Sequence, residues 1–317
     1  MKKLLLVLIF LPMIFTTCKK KKKYKTENVI IIVVDGARYS ETWGDSTHQY
    51  IPYFSNEIAK FGIVNTAFYN NGKTSTVSGF TALTTGSYQK INNSGKELPT
   101  NPSIFQYWVS SRKSNWSWIK SIFFNSKEAW IINSKHKLAV LGNCRNPDWS
   151  NQYLASLDCG TNGIGSDDRN DTLTLARFFN VMSKYHPKIT LLGFNEPDFS
   201  GHENSWEGYI QGIKDTDKYI YKIWKYIQTD PYYAGNTTLF ITNDHGRHLD
   251  SIKGGFQNHG DGCDGCRHIN FFAYGPDIKK GIINIERELI DISATVSELL
   301  QFESQYVEGE IMHELFE

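Results

Sequence analysis

Residues 29–34 form an unbroken run of six aliphatic side chains, mostly β-branched, closed by Asp35-Gly36. A strand with no polar face has to be covered on both sides, which is the mark of a parallel sheet flanked by helices. Comparable runs at 129–132, 189–194, 238–242 and 269–274 predict further strands. Helical spacing of apolar residues predicts helices over 53–61, 104–111, 172–185, 207–228 and 290–300. Strands alternating with helices define an α/β fold: a doubly wound, mostly parallel central sheet with helices on both faces. Trp206, Tyr209, Ile213, Ile220, Ile223 and Trp224 recur at mostly helical spacing and are expected to pack in the core. Residues 134–168, rich in Asn, Gly, Ser and Asp, are expected to make a long surface excursion near the site. No internal repeat or second linker interrupts the rest, so residues 28–317 are expected to form a single catalytic domain.

The N-terminus carries an address. Lys2 and Lys3 precede an apolar run over 4–15, long enough for a signal-peptide core and too short for a membrane span. Phe15-Thr16-Thr17-Cys18 follows it, with small residues before a cysteine as at a bacterial lipoprotein cleavage site. Residues 1–17 are therefore expected to be a signal peptide. Residues 18–27 would be a lipidated Cys18 and a lysine-rich tether (Lys19 to Lys23, and Lys25), which anchors an exported periplasmic or cell-surface lipoprotein to the membrane.

Eight of the 34 Lys and Arg but one of the 33 Asp and Glu lie in residues 1–27, so the remainder carries 26 basic against 32 acidic groups, a balance of −6. A mildly anionic domain of this kind is not expected to bind nucleic acid polymers. If it handles anions, its positive field must be local, which points to bound metal.

Beyond Cys18 there are four cysteines, compatible in an exported chain with disulfides Cys144–Cys159 and Cys263–Cys266. Free thiols are open too, and Cys263-x-x-Cys266 could be a redox or zinc pair. Zinc would need a second ligand pair, and none is evident in the sequence.

In doubly wound sheets ligands bind beyond the carboxyl ends of the strands. Three of those ends carry carboxylates: Asp35, Asp198 and Asp244. Asp198-Phe-Ser-Gly-His202, Asn243-Asp244-His245-Gly246 and His259-Gly260 add imidazoles, and oxygen and nitrogen donors of this kind suit catalytic zinc. Any one of them alone has an ordinary reading as a cap or a loop hydrogen-bonding group; the shared position does not.

Val34-Asp35-Gly36, Asp198-x-x-x-His202, Asn243-Asp244-His245-Gly246 and His259-Gly260, in that order, resemble the alkaline phosphatase superfamily, most closely its type I phosphodiesterase/nucleotide pyrophosphatase branch. Like that family's last ligand, His259 precedes a strand ending in Tyr274-Gly275-Pro276. The resemblance spans residues 28 to 300 and implies two zinc ions. Asp198, His202 and His259 would hold one; Asp35, Asp244, His245 and the nucleophile oxygen would hold the other. Two such ions outweigh three carboxylates and leave a positive pocket for a phosphate ester.

The segment from Thr74 to Thr85-Gly86 resembles the family's nucleophile turn, which enters a helix, and counting back places the nucleophile at Thr76, with Ser75 and Ser78 as local competitors. Residues 77–79 are Val-Ser-Gly where the family's phosphodiesterases usually have Pro-Asn, which leaves monoester against diester preference open. The Cys or Ser with following Pro and Arg from which sulfatases make formylglycine is absent near residue 76.

The resemblance thus implies a di-zinc phosphoric ester hydrolase acting on a small-molecule ester through a covalent phosphothreonine. Val77, Asn92 or Asn93 would support the oxyanion, Arg247 or His248 could touch substrate, and His268 is equally suited to a structural hydrogen bond. The alternatives are a phosphoryl or phosphoethanolamine transferase or mutase on the same fold, or a non-catalytic glycan-binding surface lipoprotein.

Overall fold

The computed structural model describes residues 23–95, 97–111, 120–124, 135, 156–159 and 170–317. In chain order the elements are β1 (Asn28–Val34), β2 (Ile63–Asn65), β3 (Phe68–Tyr69), α1 (Thr76–Thr85), α2 (Ile104–Ser111), β4 (Lys120–Phe124), β5 (Ser156–Cys159) and α3 (Asp171–Tyr185). They continue with β6 (Ile189–Phe194), α4 (Asp198–His202), α5 (Trp206–Thr229), β7 (Thr237–Thr242), α6 (Asp264–Arg267), β8 (Phe271–Tyr274), β9 (Gly281–Ile283), β10 (Arg287–Glu288) and α7 (Asp291–Leu299). One eight-stranded sheet runs in the order β5-β4-β6-β1-β7-β8-β2-β9, and β3 pairs with β10. Five neighbours, β5 to β7, are parallel, whereas β8 runs antiparallel to both β7 and β2.

The central strand shows why the aliphatic run has no polar face. Every residue of β1 is buried. Val29, Ile31 and Val33 pack with Val77, Phe80 and Leu83 of α1 and Ile292 and Val296 of α7. Ile30, Ile32 and Val34 enter a second core with Leu175, Phe178 and Met182 of α3 and Ile220, Ile223 and Trp224 of α5. Each such side chain contributes about 1.5–3 kcal/mol by leaving water, and the strand contributes to both faces at once. Helix α5 starts at Ser205, whose hydroxyl caps Gly208 N at 3.0 Å; Tyr209 and Ile213 are buried, and Trp206 stacks on Tyr209 at the rim.

Several expectations need correcting. The 53–61 helix is a π-helical turn at Phe54–Ile58 followed by a 3-10 turn at Ala59–Phe61, ended by Gly62. Strand β5 lies inside the stretch expected to be a surface excursion and forms the sheet edge. Its four residues include Ser and Asp, too few and too polar to stand out as an apolar run. The 129–132 strand, Cys144 and the Cys18 segment lie outside the described residues, as does the Cys159 side chain. Among the described residues no helix is long and apolar enough to cross a membrane.

Helix α5 fixes the turn that ends β1. The buried Tyr209 hydroxyl accepts from Arg38 N at 2.8 Å and donates to Gly36 O at 3.0 Å. Tyr209→Phe strands both backbone groups in a dry place, which costs about 1–3 kcal/mol. Urea unfolding should show a correspondingly lower midpoint with an unchanged slope; an unaltered midpoint would show that the turn holds without the hydroxyl.

Candidate active site

Strands β6, β1 and β7 are adjacent and parallel, so their carboxyl ends open at one place on the sheet edge. Asp35 follows β1 directly, Asp198 begins α4 just beyond β6, and Asp244 lies two residues past β7. Gly36 makes the first turn possible: its φ is +66°, and a Cβ there would collide with Asp198 Oδ1. Asn243 ties the ends together, donating from Nδ2 to Val34 O at 2.7 Å and accepting from Asn270 N at 3.0 Å. Asn70 Nδ2 donates to Asp244 O at 2.7 Å. Asn70 and Asn270 carry no signal in the sequence, where an isolated Asn in a loop belongs to no motif, and Asn243 stands in Asn243-Asp244-His245-Gly246 without a sign of this role.

The donors fall into two groups, Asp35–Asp244–His245 and Asp198–His202–His259, each with its ligand atoms within 4.8 Å of one another. In the first, His245 Nε2 lies 3.4 Å from Asp35 Oδ1, 3.3 Å from Asp244 Oδ2 and 3.4 Å from Thr76 Oγ1. In the second, His202 Nε2 is 3.1 Å from Asp198 Oδ2 and 3.0 Å from His259 Nε2, which is 3.6 Å from Asp198 Oδ1. The His245 and His259 rings stack at 4.0 Å, joining the groups.

The hydrogen bonds on the far side of each ring test whether cations fit. His245 Nδ1 meets Gly246 O at 2.9 Å, and His259 Nδ1 meets Thr74 O at 2.9 Å. A carbonyl only accepts, so these contacts assign the proton to Nδ1 and leave the Nε2 lone pair facing the carboxylates. Asp244 Oδ2 is buried with no hydrogen-bond donor. Lone pairs converging on lone pairs repel unless a cation sits among them, and spacings of 3.0–3.6 Å match the ligand edges of a zinc site of about 3.3 Å. Burial pushes His259 down to about 2, with a further contribution from His245, keeping the imidazole neutral as a ligand must be. Burial raises the Asp244 carboxyl, while His245 beside it works in the opposite direction. Divalent cations at these foci would supply counter-charge and polarise an anionic ester.

Thr76 is the first residue of α1 and is buried, with its hydroxyl turned to His245. Ser75 Oγ instead donates to Ser78 Oγ at 3.2 Å, and Ser78 Oγ to Ile91 O at 3.4 Å, so both competitors turn away from the carboxylates. Asn93 Oδ1 accepts from Val77 N at 2.9 Å, at the start of the helix, whereas Asn92 is turned to Glu97 Oε2 at 2.8 Å.

Arg247 is wholly buried and does not face an open site. Its Nη1 meets Asp198 Oδ1, its Nε meets Phe256 O, and Nη2 donates to Gln257 O at 2.8 Å. Burial lowers it to about 10, so it stays charged at neutral pH and acts as a fixed counter-ion to Asp198. His248 points away, to Cys263 and Cys266, which are both free thiols. His268 bonds Thr66 O at 2.9 Å and stacks on Tyr39 and Tyr69, a structural position.

The family model named Sulfatase matches residues 27–302. The chain belongs to that family, and with it to the alkaline phosphatase superfamily, whose members use divalent metals. The fold is similar to a phosphonate monoester hydrolase from Silicibacter pomeroyi, at 12% identity and a TM-score of 0.66 over 90% of this chain and 76% of that one. It is also similar to murine ectonucleotide pyrophosphatase/phosphodiesterase 5, at 13% identity and a TM-score of 0.64 over 92% of this chain and all of that one. The murine protein is also known as an inactive threonine-to-alanine variant in complex with AMP. A 67-residue stretch is 37% identical to a 2,3-bisphosphoglycerate-independent phosphoglycerate mutase of Gracilaria tenuistipitata var. liui, covering 21% of this chain and only 12% of the mutase.

Gly36→Ala tests the dependence of both donor groups on one turn. The new methyl must displace Asp198 and adopt a left-handed backbone, destabilising by more than about 1 kcal/mol. Bound divalent metal per chain, measured by elemental analysis, should fall in the variant; unchanged content would show that the two groups assemble independently of this close approach.

Proposed function

We propose that this protein is a di-zinc phosphoric ester hydrolase that works through a covalent phosphothreonine on Thr76. The observation that carries this is the placement of one helix-terminal threonine hydroxyl 3.4 Å from the imidazole that joins two carboxylate-imidazole groups. Two zinc ions held by those groups would neutralise the ester's charge and acidify the neighbouring hydroxyl.

The rest of the chemistry belongs to the chain's own side chains. Thr76 Oγ1 bonds to phosphorus as the ester oxygen leaves, and water then breaks that bond to restore the hydroxyl. The amides of the first turn of α1 and its dipole favour negative charge at this point. Val77 N donates to Asn93 Oδ1 at 2.9 Å beside Thr76, so this amide would have to exchange that partner to support the anionic oxygen. An open depression of about 650 Å3, lined by Lys73, Lys90 and Glu97 among others, adjoins this turn in the chain; its two lysines outnumber its one carboxylate, a balance that suits the remainder of an anionic substrate.

Phosphate rather than sulfate is supported by the threonine itself, which cannot be converted to the formylglycine that sulfatases derive from Cys or Ser. The short stretch shared with a phosphoglycerate mutase favours a second reading, in which the phosphothreonine passes its group to another alcohol instead of water. We place the enzyme at the cell envelope, on the strength of the apolar segment and Cys18, both outside the described residues.

Thr76→Ala should retain its metal and lose turnover of p-nitrophenyl phosphate or bis-p-nitrophenyl phosphate by a factor of about 10³ or more. The wild type should be inactive on p-nitrophenyl sulfate. Faster turnover of the sulfate, or near-normal activity of the variant, would overturn the proposal; product analysis with an added alcohol separates hydrolysis from transfer.

A further inference from the structure

A third cluster of metal-type donors lies outside the two groups above. His248, Asp261, Cys263 and Cys266 each offer an atom within 4.8 Å of the others. His248 Nδ1 is 3.1 Å from Cys263 Sγ, 3.3 Å from Cys266 Sγ and 3.5 Å from Asp261 Oδ1. Tetrahedral zinc, with bonds of about 2.3 Å to sulfur and about 2.0 Å to nitrogen or oxygen, sets its ligand atoms about 3.3–3.8 Å apart. Lys253 holds one carboxylate oxygen of Asp261, Oδ2, at 2.7 Å, while Oδ1 accepts from Cys263 N at 3.0 Å on the side of the cluster.

We propose that these four residues bind a structural zinc ion, closed to substrate and separate from the catalytic centre. The Cys-x-x-Cys pair is half of such a site. The sequence did not show the other half because His248 and Asp261, both in the segment between β7 and α6, stand 15 and two residues before Cys263, a spacing that matches no second ligand pair.

The surrounding bonds say what the ion does. Gly246 N donates to Cys266 O at 2.8 Å, and His248 N to Asn258 O at 2.9 Å. The cluster therefore ties the segment bearing Asp244 and His245 to the segment bearing His259. Thr74 Oγ1 donates to Asp261 O at 2.7 Å while Thr74 O holds the His259 ring, so the same knot reaches the turn before Thr76. Between Gly254 and Gly265 this stretch is dense in glycine and contributes little apolar core. Such backbone is entropically expensive to order, and an ion that binds only the folded form stabilises it.

The test is zinc-edge X-ray absorption with elemental analysis on the full-length protein loaded with zinc alone, compared with Cys263→Ser/Cys266→Ser. The wild type should show sulfur scattering at about 2.3 Å and hold one zinc more than the double variant, whose shell contains only nitrogen and oxygen. Alkylation mapped by mass spectrometry should find Cys263 and Cys266 protected until a chelator is added, which decides the matter even if the double variant does not fold. Absence of sulfur scattering in the wild type, or a Cys263–Cys266 disulfide in the non-reduced zinc-loaded protein, would overturn the proposal. Because sulfur belongs to this cluster alone among the proposed sites, neither outcome depends on the Thr76 mechanism.

Discussion

Three carboxylates at the ends of three neighbouring strands are the constraint around which the rest is arranged. Asp35, Asp198 and Asp244 are each largely or wholly shielded from water, and the parallel order β6-β1-β7 leaves them no way to separate. Like charges gathered in a poorly hydrated place destabilise a fold unless opposite charge is supplied. Arg247 supplies one positive charge, clamped on Asp198 by its bonds to the 256–257 carbonyls. Two divalent cations would supply the rest and turn a liability into an electropositive pocket within a domain whose balance is −6. Imidazoles oriented by backbone carbonyls, and a threonine at a helix start, then have a defined place around that charge.

Much of this was legible in the sequence because it follows from local pattern. An aliphatic run buried on both faces has few options, and β1, β6 and β7 appear where the runs stand. The strand-end rule then located the carboxylates, and the ordered histidines completed both groups. Legibility failed where a residue's role depends on distant partners. Asn243, Asn70 and Asn270 hold the strand ends through bonds that no spacing reveals. Arg247 and His248 directly follow Asp244 and His245, a placement that suggests contact with substrate, yet their neighbours draw both into the protein. Short strands such as β5 are held by pairing in register with β4 rather than by their own composition.

The segment after β7 carries an unusual share of the site. It provides Asp244 and His245, then Arg247 as counter-ion, then His248 for the thiol cluster, and after a glycine-dense loop it returns with His259. A chain that concentrates candidate ligands in such a glycine-dense stretch gains from cross-links that hold them, and the Cys263–Cys266 region lies where one is useful. The family is named for sulfate-ester chemistry, yet its fold is shared with a phosphonate monoester hydrolase and a nucleotide phosphodiesterase, as one fold serves more than one chemistry. The identity of residue 76 is the feature that separates the options.

The most direct measurement is a crystal structure with anomalous difference maps recorded on both sides of the zinc absorption edge. One peak is expected among Asp35, Asp244, His245 and Thr76, and another among Asp198, His202 and His259, roughly 3.5–4 Å away. A fully active protein showing no peak at either position would contradict that expectation.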